Sequence, residues 1–153
     1  MIRRLIAPSA LLLVLVAGCS SSTPDEDATA SAPTDDAQTT ACEAFFAGTG
    51  TPLAERSDAA RSALSGGEVI DPASYSEVNV LEQRLTELSR TAPESVATLL
   101  DEIKAPFSEA VTAYNEAMSE GEEPQFPDLT SIDVAGSAAA QDELTATCET
   151  DAA

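Results

Sequence analysis

The chain has no histidine and no tryptophan, two tyrosines, four phenylalanines, and seven basic residues against 27 acidic ones in 153 positions. Without histidine the commonest general base and zinc ligand is missing, which excludes Ser–His and Cys–His nucleophile pairs. The shortage of Lys and Arg leaves a formal net charge of −20. That balance argues against a nucleic-acid partner, because gripping phosphates takes a basic surface that displaces counterions. Long apolar runs are scarce, and a mean hydropathy of −0.05 does not suit a polytopic membrane protein. Neither a nucleophile elbow, a phosphate-binding Gly-rich loop nor an EF-hand loop occurs. Carboxylates are so abundant that no acid pair stands out, so the expectation is a chain that is not an enzyme and uses no cofactor.

What is present is concentrated at the start. Arg3 and Arg4 precede an apolar run from Leu5 to Ala17, interrupted only by Pro8 and Ser9. Thirteen helical residues rise about 20 Å, short of a hydrocarbon core of about 30 Å, so the run reads as an export signal and not as a membrane span. Val16-Ala17-Gly18-Cys19 follows, an aliphatic residue and two small ones before a cysteine. This segment resembles the lipobox of bacterial lipoproteins. Six Arg against one Lys and abundant Ala suit a small lipoprotein of actinobacterial type.

The resemblance implies that residues 1–18 are removed by signal peptidase II, which recognises Val16, Ala17 and Gly18, and that Cys19 carries a thioether-linked diacylglycerol. Two acyl chains give stable anchoring where one is marginal. Losing Arg3 and Arg4 with the signal would take the net charge from −20 to −22, so an anionic bilayer surface would repel the body that the lipid holds. The implied location is the extracytoplasmic face of the cell membrane. The membrane is then one partner and an envelope protein the other.

Residues 20–40 hold no aliphatic side chain larger than Ala and no aromatic. Such a stretch cannot offset its ordering entropy by burial, so 19–40 reads as the lipidated Cys followed by a disordered acidic linker. Cys42 and Cys148 remain, and in an exported protein they are expected to pair. The domain is therefore expected over 41–153.

Between these cysteines the periodicity is helical. Val78, Leu81, Leu85, Leu88 and Ala92 share a face, with Ser74 and Glu77 as a capping box. Val96, Leu99, Leu100, Ile103, Phe107, Ala110, Val111, Tyr114 and Met118 form a second stripe, continuous across Pro106, opened by a second box at Thr91 and Glu94. A short helix is expected around Cys42, Phe45 and Phe46. Another runs from Leu53 to Leu64, opened by Thr51-Pro52 and closed by Gly66-Gly67, and the two are readable as one kinked helix. A weaker helix is expected over about 130–148, facing inward through Ala140, Leu144 and Cys148. The fold class is all-α, an antiparallel four-helix bundle closed by one disulfide after a disordered tether.

Three weaker features compete with plain structural readings. Glu102, Glu109, Glu116 and Glu123 repeat every heptad, either as a docking stripe or as a solvated helix back. Glu120, Glu122, Glu123 and Asp128 surround Phe126, as a cation- or partner-binding loop or as an ordinary connection. Tyr75 and Tyr114 line a cleft or belong to the core. The functional expectation is a membrane-anchored lipoprotein with a non-enzymatic interaction or structural role; a small-ligand or cation-binding module is the alternative.

Overall fold

The computed structural model describes residues 33–67, 71–119 and 126–151. Expectations for Val16, Ala17, Gly18, Cys19, Glu120, Glu122 and Glu123 lie outside them. The described residues form five helices and no strand: α1 (Pro33–Phe46), α2 (Leu53–Gly66), α3 (Pro72–Thr91), α4 (Glu94–Ser119) and α5 (Ala135–Asp151). The all-α class holds. The count differs from the expected four because α1 and α2 are separate, parted by Gly48, Gly50 with φ +86°, and Pro52.

Helix α1 begins well before Cys42, inside the stretch read as linker. Ala is the best helix former, Asp35 and Asp36 in the first turn oppose the positive end of the helix dipole, and Ala37 and Ala41 share a face one turn apart. Ala41 and Phe45 then bury against the core, and Phe45 is fully covered. The linker reading therefore applies at most up to residue 32. Helix α2 closes as its sequence indicates, with Gly67 at φ +71° donating to the carbonyls of Ala63 and Leu64.

Helix α3 starts earlier than the Ser74–Glu77 box. Its N-cap is Asp71, whose carboxylate accepts from the amides of Ala73 and Ser74 and from Ser74 Oγ, with Pro72 at the first helical position. The second expected box does not form either. Thr91 Oγ1 donates to the Leu88 carbonyl at the end of α3, so it closes one helix and does not open the next.

The α3–α4 hairpin is the most extensive helix pairing among the described residues, and its register is visible in its polar seam. Tyr75 Oη donates to Asn115, Ser108 Oγ to Glu82, and Ser89 Oγ to Asp101. One partner advances by a heptad as the other retreats by one, which only antiparallel helices can do. Inside the seam lie Val78, Leu81, Leu85, Val96, Leu100, Ile103, Phe107 and Ala110, all buried. Helix α5 packs on α4 through Ala140 and Leu144. It begins at Ala135, later than expected, because Leu129 and Ile132 enter the core from non-helical backbone. Asp128 and Asp133 accept the amides of Thr130 and Ala135 to shape that approach. Cys42 on α1 and Cys148 on α5 stand at disulfide distance with Cα atoms 5.7 Å apart.

Candidate functional site

A concavity lies between α2 and α3. On its α2 side, Ala59, Ala60 and Ala63 offer nothing beyond a Cβ, so the helix cannot fill the space opposite Val78 and Leu81 on α3. The result is an apolar cavity of about 260 Å³. Arg56 and Glu77 stand at its mouth as an ion pair at 3.0 Å; the Arg56 side chain is 19% exposed and that of Glu77 is 77% exposed. Both also line an adjoining cleft of about 540 Å³, completed by Thr49, Gly50, Thr51, Val80 and Arg84. The site thus has an apolar inner part and a polar outer part with two guanidinium groups.

A second polar cluster is buried and structural. Arg61 on α2 donates to Ser137 Oγ at 3.1 Å and Gln141 Oε1 at 3.0 Å on α5, and pairs with Asp58 one turn back on its own helix. Ser137 Oγ in turn donates to the Ile103 carbonyl at 2.7 Å. Pro106 deprives the Glu102 carbonyl of its intrahelical donor, one residue before the carbonyl that Ser137 engages. Arg61, Ser137 and Ile103 thereby tie three helices together. One turn before Arg61, Ser57 Oγ is buried without a partner among the described residues.

Other residues singled out in the sequence fall as follows. Tyr75 and Tyr114 stack, with ring centroids 3.8 Å apart and 14° between planes, and Tyr114 is buried. They close one end of the hairpin. Phe126 lies 6.1 Å from Tyr114 but is 44% exposed, and Met118, at the end of the α4 stripe, is 43% exposed. Asp128 is engaged by Thr130, whose hydroxyl and then amide hold its carboxyl below the ordinary value. Glu102, Glu109 and Glu116 are all exposed, as a solvated helix back requires. Among the described residues no group of three or more His, Cys, Asp or Glu side chains is arranged to hold a metal ion, and no helix is long and apolar enough to cross a membrane.

Asp101 is held below the ordinary carboxylate value by the Lys104 ammonium first, against some desolvation, and then by Ser89. Asp71 is lowered mainly by Ser74, in keeping with its cap. Both shifts come from hydrogen bonds at a helix end and in the α3–α4 seam. The α2–α3 cleft was not visible in the sequence, because its signal is a lack of side chain at 59, 60 and 63. Comparison with protein-family models, curated proteins and solved structures finds no match.

Proposed function

We propose that the protein is an extracytoplasmic lipoprotein, anchored through Cys19, whose helical domain serves a non-enzymatic interaction or structural role in the cell envelope. The observation that carries this reading is Val16-Ala17-Gly18-Cys19 placed directly after Arg3, Arg4 and a short apolar run. The pairing distance between Cys42 and Cys148 supports it, since disulfides persist outside the reducing cytoplasm. In this reading α2 to α5 are the four-helix body and α1 is a strap joined to it. Fourteen residue steps separate Cys19 from Pro33, so the chain between lipid and strap can reach about 46–50 Å when fully extended.

The test is metabolic labelling with a fatty-acid analogue, followed by mass spectrometry of the amino-terminal peptide, alongside Cys19→Ala. The expected result is a diacylated Cys19 at the mature terminus, and a variant that takes no label and keeps residues 1–18, because signal peptidase II cuts before a lipidated Cys. An unmodified Cys19 thiol, or a variant that is still labelled or still cut before residue 19, overturns the proposal. Crosslinking on intact cells then identifies the envelope partner.

A further inference from the structure

We infer that the α2–α3 cleft binds a small amphiphilic anion, a chain of about eight carbons ending in a carboxylate or phosphate, and this assignment does not depend on the lipid anchor. The inner cavity of about 260 Å³ is apolar on both walls, formed by Ala59, Ala60 and Ala63 against Val78 and Leu81. Ser74 and the Arg56–Glu77 pair are its polar lining, and the remaining apolar walls favour hydrocarbon. At about 30 Å³ for each water-sized unit it takes a chain of that length.

The charge at the opening selects the head. Five cationic side chains lie among the described residues, and three of them, Arg61, Arg90 and Lys104, are paired with acids on their own helices. The other two, Arg56 and Arg84, both line the outer cleft. Arg84 has no ion-pair partner among the described residues. Arg56 is held by Glu77, whose largely exposed carboxylate makes the kind of pair that contributes little and exchanges readily. An anionic head can take Glu77's place on Arg56 within the cleft that Arg84 also lines.

Alternative occupants use only half of the site. A cation meets two guanidinium groups, an inorganic anion leaves the apolar cavity empty, and a neutral hydrocarbon leaves the arginines idle. The overall negative charge of the protein opposes an anion at long range, but salt screens that field beyond about 8 Å, whereas the head contacts are short.

The test is an amide NMR titration of the oxidised full chain carrying Cys19→Ser, which holds no lipid of its own, with decanoate, decyl phosphate and decanol below their aggregation limits. Saturable shifts at Ala59, Ala60, Ala63, Val78 and Leu81 are expected with decanoate or decyl phosphate, the tighter of the two identifying the head. Decanol should bind at least tenfold more weakly. Arg84→Glu, at an exposed position that leaves the core untouched, should weaken the anion at least tenfold, and Ala60→Phe should abolish binding by filling the cavity. The inference is overturned if neither anion shifts these residues, if decanol binds as tightly as the anions, or if Arg84→Glu leaves the affinity unchanged. Because the chain used carries no lipid, failure here leaves the anchoring proposal standing, and failure of the anchor leaves this one standing.

Discussion

Joining Cys42 to Cys148 closes a loop with a sequence separation of 106, nearly the whole described domain. In the chain-entropy model a cross-link of that span removes about 16 cal/mol/K from the unfolded ensemble, or about 4.8 kcal/mol at 25 °C. Domains of this size unfold with an entropy of about 0.25 kcal/mol/K, so the double variant Cys42→Ala, Cys148→Ala should melt about 15–20 °C lower. That is a large share of a typical total stability of about 5–15 kcal/mol. The assay is thermal and urea unfolding followed by far-UV circular dichroism, for the oxidised protein and the double variant side by side, with amide exchange measured on both. The competing outcome is specific. If α1 alone detaches, its amides exchange freely while the rest melts within about 5 °C of the oxidised protein. The cross-link would then hold one helix and not constrain the global unfolded state, and the reasoning from loop closure would be refuted.

Phe45→Ala should cost about 3–5 kcal/mol, since the ring is fully covered and is the main apolar tie of α1, and urea unfolding checks it. Ser137→Ala should cost about 1–3 kcal/mol by removing a buried hydroxyl that accepts from Arg61 and donates to the Ile103 carbonyl, and urea unfolding checks it. Ser57→Ala should be neutral or stabilising by up to about 1 kcal/mol, because it removes a buried hydroxyl with no partner among the described residues. Asp101 has a folded pKa below its unfolded value of about 3.8, so its contribution is present above that pH and is lost as pH falls towards the lowered value. The gap in melting temperature between the wild type and Asp101→Ala should therefore be constant from pH 7 to about 5 and close below about pH 4.

The long apolar stripes were legible because burial follows them almost residue by residue. Val78, Leu81 and Leu85 on α3, and Val96 through Tyr114 on α4, face inward as their spacing requires, with Val111 only partly covered. The stripe loses its meaning at Met118, where α4 runs past its neighbours and the side chain is exposed. Helix starts were less legible. Ser74 and Thr91 had suitable box partners, but Asp71 next to Pro72 makes a stronger cap, and Thr91 was already committed to the preceding helix. The early start of α1 was hidden by Thr, Asp and Ala, residues that suit a solvated spacer and a capped helix equally well. Arg61 gave no hint of burial, since an arginine pattern alone reads as surface; its cover comes from Ser137 and Gln141, distant in the chain. For the same reason the cleft between α2 and α3 depends on which helix faces the three alanines, a tertiary fact that no local window contains.

With Cys42 bonded to Cys148, a tug on the chain ahead of residue 42 passes straight through sulfur to α5. Tension applied between the amino-terminal stretch and the final residues then bypasses everything enclosed by the loop. The core helices carry no load under such a pull, and the molecule can lengthen only through the segments outside the bridge.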